Sequence, residues 1–264
     1  MERVINKIKI YINGDNKSKK VKESLVKDLI KKDFLIVEKD YDLAISIGGD
    51  GTFLKMVNEN NFNSDIYYIG INSGTLGFLQ EIDLDKTIDF INRLANNDFK
   101  EERICIGKAS VITNKKVYQY NFLNEIVLRK NDFSTLEVPV YIDNFYLEDF
   151  TGDGLLISTS TGSTAYNMSF GGAIVYNSLK TLSLTPIAPI NNRAYRTLTN
   201  SFILPIDTKI EIKGNEDLFL MIDGKNKEIK KVMKVEITID KKEIKCLRMH
   251  DFHFIKVVNN KILK

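Results

Sequence analysis

The chain has 264 residues, 43% of them hydrophobic and 28% charged, which is enough for one large domain or two ordinary domains with a real core. Its 38 basic and 35 acidic residues give a net charge of +3 and are spread along the sequence, which argues against the concentrated basic face of a nucleic-acid-binding protein. No stretch approaches 18 consecutive apolar residues, so no membrane span is expected.

The first hundred residues alternate between strand-like and helix-like segments. Strands are predicted at 8–12, 34–37, 43–47 and 66–71, and helices at 52–60 and 83–96. A further helix has Ser18 as its predicted cap and an apolar stripe of Val21, Leu25 and Leu29. This alternation predicts an α/β domain over residues 1–100, with a Rossmann-like, open and mostly parallel sheet.

After about residue 101 the pattern changes to short alternating strands between turns. Asp143-Asn144 is a predicted hairpin turn, and residues 164–175 are the one helical candidate. The pattern predicts an all-β, sandwich-like domain over residues 101–246, with a sheet separate from that of the first domain. The C-terminal tail, residues 247–264, is expected to be a strand or a terminal element that packs back on the first domain.

The cysteines and histidines give no sign of a metal site. Cys105 and Cys246 lie far apart, without CxxC spacing, and are predicted to be buried thiols in a reducing compartment. His250 and His253 lack further ligands with zinc spacing. The N-terminus alternates charge with isoleucine and has no signal-peptide core, so a cytoplasmic location is expected.

The stretch GGDGT, residues 48–52, ends a predicted strand and begins a helix. Helix N-termini bind phosphate, and glycines let the backbone approach it or adopt positive φ. The motif of P-loop NTPases is absent, and a carboxylate, Asp50, stands between Gly49 and Gly51. Asp50 is either a helix N-cap or the group that takes the proton of a hydroxyl attacking a phosphoryl group.

Asn124 and Glu125 interrupt the apolar run 122–128. A carboxylate in such a run is costly unless it is paired or meets a ligand. Glu125 could accept hydrogen bonds from ribose hydroxyls, and Asn124 has the donor and acceptor that suit adenine or a ribose oxygen. The alternative is a strand that turns a polar edge to solvent.

Residues 151–172 are rich in Ser, Thr and Gly, and within them the predicted strand 155–158 leads into a loop of small residues. Its small residues would allow a flat base to lie against the backbone, and Tyr166 could stack on a ring. The alternative is a flexible linker, which fits poorly because apolar segments flank the stretch tightly.

These motifs together resemble the bacterial NAD kinase family. GGDGT alone is similar to a signature shared with diacylglycerol and sphingosine kinases, and it leaves the phosphate acceptor open. The resemblance becomes specific because the further motifs follow in order: GTLGF at 74–78, Asn-Glu at 124–125, GDGLLISTSTGSTAY at 152–166, NNRAYR at 191–196 and Asp-Gly at 223–224.

The resemblance implies ATP-dependent phosphorylation of the adenosine-ribose 2′-hydroxyl of NAD to give NADP. Mg²⁺ would arrive with the nucleotide, and Asp50 would be the proton acceptor. The implied NAD-binding residues are Gly51, Phe78, Asn124, Glu125, Asp153, Thr161, Thr164, Ala165, Tyr166, Ser169 and Ala188, with Asp153 near the nicotinamide. The implied ATP phosphate-binding residues are Gly48, Gly49, Gly51 and Thr52.

The family resemblance further implies a homo-oligomer, a dimer or tetramer, whose sites are completed across an interface. Two positions depart from the family: Thr151 replaces a common basic residue and Lys225 a common glutamine. A related lipid kinase would not need the Asn-Glu and GSTAY motifs. A non-catalytic NAD(P) sensor would not need Asp50.

Overall fold

The structure, a computed structural model, describes residues 4–74, 77–132 and 134–263. Thr75 and Leu76 of the GTLGF motif therefore lie outside the described residues. The chain divides into two compact units. The first unit contains residues 1–104 and 243–264, and the second unit contains residues 105–242.

The first unit is a parallel sheet with helices on both faces. Its strands are β1 (Lys7–Ile12), β2 (Leu35–Ile36), β3 (Leu43–Gly48), β4 (Tyr67–Asn72) and β5 (Ile82–Asp83), and its main helices are α1 (Asn16–Ile30), α2 (Asp50–Glu59) and α3 (Thr87–Ala95). The order β2-β1-β3-β4 is parallel throughout, and β5 also pairs with β4 in parallel. The predicted open, mostly parallel sheet is confirmed.

Side-chain alternation along the strands decides where the helices pack. Ile45 and Ile47 point to the face that is covered by α1 and α3, where they join Leu29 and Leu94 in one buried cluster. On the other face Phe53 of α2 lies against the ring of Tyr68, with 6.5 Å between ring centroids. Both faces of the sheet are thus buried, as parallel sheets require.

The first helix does not begin as the sequence pattern predicts. Asp15, rather than Ser18, is the N-cap of α1, and its side chain accepts a hydrogen bond from the Ser18 backbone N–H. Ser18 is fully buried, and its hydroxyl lies 3.3 Å from the hydroxyl of Ser73. Both residue types favour helix starts, so the pattern alone did not separate them.

The second unit is built from antiparallel strands. They are β6 (Lys100–Thr113), β7 (Val117–Phe122), β8 (Glu125–Lys130), β9 (Leu136–Ile142), β10 (Phe145–Gly152), β11 (Gly154–Thr159), β12 (Thr181–Ile187), β13 (Phe202–Pro205), β14 (Ile210–Ile222) and β15 (Lys225–Arg248). Strands β13-β12-β11-β8-β14-β15 are neighbours in that order, β9 pairs with β10 and β14, and β6 pairs with β7. The prediction of a β-rich second half is confirmed, as is the hairpin turn at Asp143-Asn144, where both residues have positive φ.

Two expectations are wrong: one concerns a helix and the other the separation of the two sheets. Residues 164–175 do not form one helix: a 3₁₀ turn (Thr161–Thr164) leads into α4 (Tyr166–Ser169), and Gly171, with φ of +73°, lies just beyond its end. Beyond Arg248, where β15 ends, the C-terminal tail forms α5 (Phe254–Val258) and a π-helical turn (Asn259–Leu263) within the first unit, so of its two alternatives it is a terminal element rather than a strand. The two sheets are also not separate.

Strand β15 is long enough to serve both units. Its residues Lys225–Ile237 pair with β14 in the second unit, whereas Lys245 and Cys246 pair with β4 in the first unit. All strands therefore belong to one large mixed sheet. The two cysteines are free and buried, as predicted. No helix within the described ranges is long and apolar enough to cross a membrane.

Candidate active site

Asp50 is the first residue of α2, and Gly49 occupies the N-cap position, with no side-chain hydrogen bond to the helix end. The Asp50 side chain therefore does not cap its own helix, and the N-cap interpretation is wrong. Its carboxylate is half-buried and turns toward a different segment.

That segment, residues 77–81, is called the anchor loop below. The Phe78 N–H donates to Oδ2 of Asp50 at 2.7 Å, and the Leu79 N–H donates to Oδ1 at 2.9 Å. A Cβ on Gly77 would lie 2.0 Å from Oδ1, so only glycine permits this approach. The Gln80 side chain donates to the Gly49 carbonyl at 2.9 Å. Each Asp50 oxygen is thus oriented and still has a free acceptor direction for a hydroxyl.

The three glycines of GGDGT have different uses, and none of them adopts positive φ. Gly48 is buried, and a Cβ there would lie 2.2 Å from the Thr52 hydroxyl oxygen. Gly51 is exposed. Because Thr52 and Phe53 donate to the Gly49 carbonyl, the N–H groups of the first two residues of α2 have no acceptor within the helix. They form the part of the loop that can bind an anion.

Asn124 and Glu125 are 7% and 4% exposed, so the interpretation as a solvent-facing polar edge is wrong. The Glu125 carboxylate has one oxygen, Oε2, with no hydrogen-bond partner within the described residues. Burial and, to a smaller extent, the nearby Asp223 carboxylate raise the pKa of Glu125 to about 8, against the opposing effect of a hydrogen bond from the Tyr166 backbone N–H. A buried acceptor without a partner is unusual in a folded protein and indicates a place for ligand donors.

Asp223 fixes the backbone of this segment from a neighbouring turn. Its two oxygens accept hydrogen bonds from the N–H groups of Leu123, Asn124 and Glu125 at 2.8, 2.8 and 3.3 Å. Burial raises the pKa of Asp223 to about 6, although these three hydrogen bonds favour its charged form. Asp223 and Gly224 both have positive φ in a two-residue hairpin turn.

The role of Asp223 is not predictable from its local sequence. An Asp-Gly pair between alternating strands is a strong hairpin signal, but nothing local indicates that its side chain reaches a segment 98 to 100 residues away.

The Ser/Thr/Gly stretch packs against the same segment and is not a linker. A Cβ on Gly162 would lie 2.0 Å from the Asn124 carbonyl oxygen, so this approach also requires glycine. The Thr159 N–H donates to the Asn124 carbonyl at 3.0 Å, and the Thr159 hydroxyl donates to the Leu123 carbonyl. Further along, the buried Asn167 accepts a hydrogen bond from the Thr185 hydroxyl at 2.6 Å.

The predicted NAD-binding residues fall into separate groups in the second unit. One group, next to Asn124 and Glu125, follows directly after β11 and is formed by Thr161, Thr164, Ala165 and Tyr166, with the exposed Ser169 at the end of α4. The Tyr166 ring makes an edge contact with Phe170, with 4.8 Å between centroids.

Asp153 and Ala188 form a second group at the opposite end of β11. Ser158, near the end of β11, pairs with Glu125, whereas Gly154, at the start of β11, pairs with Ile187. Asp153 directly precedes the strand, and five residues of extended chain separate it from Ser158. That separation is about 16 Å at ~3.3 Å per residue. Asp153 and Ala188 are both exposed. The structure does not bring these two residues to Glu125 within one copy of the second unit.

The two departures from the family pattern lie in different surroundings. Thr151 is 3% exposed, and its N–H donates to the Thr197 hydroxyl at 3.3 Å. Lys225 is exposed and begins β15 after the Asp223-Gly224 turn. Among residues 4–74, 77–132 and 134–263 there is no group of three or more His, Cys, Asp or Glu side chains that could hold a metal ion.

Two family models match the chain. One, described as the ATP-NAD kinase N-terminal domain, matches residues 6–99, and the other, the ATP-NAD kinase C-terminal domain, matches residues 123–250. An NAD kinase of Finegoldia magna is 35% identical over 263 residues, covering 95% of this chain and 96% of that protein. An NAD kinase of Lactobacillus helveticus is 35% identical over 265 residues, covering 98% and 96%.

Two solved structures share the fold. The yeast NADH kinase complexed with NADH superposes with a TM-score of 0.87 at 21% identity, over 99% of this chain and 88% of that chain. An NAD kinase from Archaeoglobus fulgidus in complex with ATP superposes with a TM-score of 0.79 at 20% identity, over 97% and 98%. At these identities the two structures are similar in architecture.

Proposed function

The chain belongs to the ATP-NAD kinase family, and from this premise we propose that it transfers the terminal phosphoryl group of ATP to the adenosine-ribose 2′-hydroxyl of NAD, with Asp50 as proton acceptor. The bond from the ribose oxygen to the γ-phosphorus forms, and the bond from that phosphorus to the β,γ-bridging oxygen breaks. ADP leaves with the electron pair, and the hydroxyl proton goes to Asp50 and then to solvent.

The observation that carries the role of Asp50 is the pair of hydrogen bonds from Phe78 and Leu79. They hold a carboxylate rigidly beside the anion-binding start of α2. An aspartate is far too weak a base to ionise a sugar hydroxyl beforehand. It can accept the proton late, once bond formation to phosphorus has made the hydroxyl acidic.

The second unit is proposed to bind NAD through Asn124 and Glu125. The unpartnered Oε2 of Glu125 supports this, because ribose hydroxyls would supply the donors that the protein does not. The neighbouring Thr161, Thr164, Ala165 and Tyr166 offer small side chains and one aromatic ring for a base. We propose Gly51, Phe78 and Ser169 as further NAD contacts on the family resemblance alone.

The donor phosphates are proposed to bind at Gly48, Gly49, Gly51 and Thr52. The free N–H groups at the start of α2 support this assignment. With no cluster of protein ligands among the described residues, a divalent cation such as Mg²⁺ would draw most ligands from the triphosphate and water, as Mg²⁺ commonly does. When bound, it would screen the donor charge.

We also propose a homo-oligomer, a dimer or tetramer, in which a second copy supplies Asp153 and Ala188 to each NAD site. Their distance from Glu125 along β11 supports this arrangement. Size-exclusion chromatography with light scattering should give a dimer or tetramer. A strictly monomeric species with full activity at the assay concentration would remove this part of the proposal.

The domain division and the location in the cell also remain proposals. Domains at residues 1–100 with the C-terminal tail 247–264, and at residues 101–246, are supported by the compact units and by the family model that ends at residue 99. A cytoplasmic location rests on the sequence pattern described above.

The test of the activity is incubation of the purified chain with ATP, Mg²⁺ and NAD, followed by an assay of NADP. We expect NADP and ADP in equal amounts. Binding of NAD without NADP formation would make the chain a nucleotide sensor, and phosphorylation of diacylglycerol instead of NAD would make it a lipid kinase.

A further inference from the structure

The C-terminal tail is fastened to the anchor loop by a buried ion cluster. Arg248 donates to Glu81 at 3.1 Å and to Glu102 at 2.5 Å, and the Met249 N–H donates to Glu81 at 3.0 Å. The side chains of Arg248 and Glu81 are 11% and 3% exposed. Since Glu81 is the last residue of the anchor loop, the loop that orients Asp50 also fixes where the tail begins.

The end of the tail contacts the anchor loop a second time, at Phe78. The ammonium nitrogen of Lys261 lies 5.2 Å from the centroid of the Phe78 ring, and the backbone N–H of Phe78 is one of the two donors to Asp50. At this distance an aromatic face attracts a cation. The side chain of Lys261 is half-buried, and within the described part of the chain no carboxylate lies within 4.0 Å of its nitrogen.

Four charged groups surround Lys261 at longer range. Asp50, Asp83 and Glu81 favour its charged form, and Arg248 opposes it. Burial is the largest influence and lowers the pKa of Lys261. A cation held by a ring, rather than neutralised in a close ion pair, keeps its ammonium donors free for an anionic ligand.

We propose that Lys261 is a binding residue for the triphosphate of the phosphoryl donor, supplied to the site by the C-terminal tail. This proposal rests on the proposed function. The Asp50 carboxylate stands at the anion-binding start of α2, and its negative charge opposes a triphosphate. Lys261 offsets that repulsion with a point charge on a flexible stem, which can follow the donor phosphates.

The test compares three variants of the full-length protein. Lys261→Met keeps the apolar stem against Phe78 but removes the charge, and Lys261→Arg keeps the charge. Lys256→Met is the matched control, because Lys256 is an exposed lysine of the same tail. Thermal unfolding of each variant identifies any loss of folding.

Initial rates should be measured with ATP and NAD varied separately. We expect Lys261→Met to raise KM for ATP about tenfold or more, the effect of losing one charge-assisted hydrogen bond, and to change KM for NAD less than about twofold. Lys261→Arg should stay within about threefold of wild type in both constants. An unchanged KM for ATP in Lys261→Met, or an equal rise in Lys256→Met, would overturn the proposal.

Calorimetric titration separates this proposal from the proposed function. Mg·ATP and inorganic tripolyphosphate are titrated into wild type, Lys261→Met and Lys256→Met without NAD. Weaker binding of both probes by Lys261→Met alone supports the role of Lys261 even if wild type forms no NADP. Equal binding by all three proteins refutes it even if wild type is an active kinase.

Discussion

Asp50 in the first unit and Glu125 in the second unit are both carboxylates withdrawn from solvent, but their hydrogen bonding differs. Both oxygens of Asp50 accept backbone N–H groups from the anchor loop. Glu125 is buried with Oε2 unpartnered, and its neighbour Asp223 takes the backbone N–H of Glu125 itself. The first carboxylate is satisfied by the protein, whereas the second is left for a ligand to satisfy.

This contrast matches two different roles, that of a proton acceptor and that of a carboxylate that binds the substrate. A proton acceptor has to be anionic and correctly aimed before the substrate arrives, and backbone donors provide that at no cost in side-chain freedom. A binding carboxylate gains selectivity if only the right donors compensate its burial. The following changes test the contrast, beginning with the largest expected effect.

Asp50→Asn should lower kcat by ~10²–10⁴, because an amide cannot accept the proton. It should also lower the free energy of unfolding by roughly 1–3 kcal/mol, since the amide NH₂ must face one of the two backbone donors. Steady-state kinetics and urea unfolding measure the two effects separately.

Asp42→Asn is the matched control for that change. Asp42 also accepts two backbone N–H groups in the first unit, those of Asn6 and Lys7, both at 2.8 Å. It should keep kcat, and it should lose less stability than Asp50→Asn, because one oxygen of Asp42, Oδ2, accepts both N–H groups and an amide oxygen can still do so. If Asp50→Asn kept kcat in its folded fraction, Asp50 would be a structural carboxylate and the proposed reaction would lack its base.

Asp223→Ala should lower the free energy of unfolding by roughly 3 kcal/mol or more, because three backbone N–H groups lose their acceptor. It should also weaken NAD binding, since the same hydrogen bonds position Asn124 and Glu125. Urea unfolding and NAD titration measure both. Unchanged NAD affinity in a destabilised Asp223→Ala would show that Asp223 does not position the binding residues.

Gly77→Ala and Gly162→Ala should each cost ~1–3 kcal/mol of stability through overpacking, but they should separate in kinetics. The new methyl group at residue 77 displaces the Asp50 carboxylate and should lower kcat, whereas the one at residue 162 displaces the Asn124 carbonyl and should raise KM for NAD. Gly214→Ala is the control, because its Cβ would meet only ordinary contacts at 3.5 and 3.6 Å. Identical kinetic changes in both variants would contradict the contrast.

The pH dependence of stability gives the smallest effect when it is counted per pH unit. The folded pKa of Glu125, about 8, lies above its unfolded value of 4.5, so the folded state retains a proton that the unfolded state releases. The contribution of Glu125 to the free energy of unfolding is fully present below pH 4.5. It falls as pH rises toward 8, by at most ~1.4 kcal/mol per pH unit. Glu125→Gln should lack this decline, whereas the exposed Glu137→Gln should retain it. Urea unfolding at pH 5, 6, 7 and 8 measures it.

Binding should reverse the protonation of Glu125. Ribose donors favour the anion, so NAD binding at pH 7 should release up to one proton in wild type and less in Glu125→Gln, detected by calorimetry in two buffers of different ionisation enthalpy. Glu125→Gln should also weaken NAD binding by roughly 1–3 kcal/mol. If Glu125→Gln bound NAD with normal affinity and released as many protons as wild type, Asn124 and Glu125 would be structural residues.

Much of the fold was predictable because local patterns determine it. Buried parallel strands such as β3 and the Asp143-Asn144 turn are specified by their own residues. The segment after Thr164 was misjudged because its apolar positions fit a helix, whereas the buried Asn167 and Gly171 limit it to one turn. The glycine motif identified Asp50 and the polar interruption of an apolar run identified Glu125, but their partners, Leu79 and Asp223, are separated from them by 29 and 98 residues.

The order in which the chain is synthesised gives the Glu81–Arg248 pair a further consequence. Glu81 leaves the ribosome 167 residues before Arg248, the cation that offsets its burial. Until then the anchor loop ends in an unpaired carboxylate, and β4 lacks its neighbour in β15. The first unit is therefore the first to be translated but the last to be completed, and a nascent chain that already carries the GGDGT loop and the anchor loop still lacks the cation that pairs with Glu81.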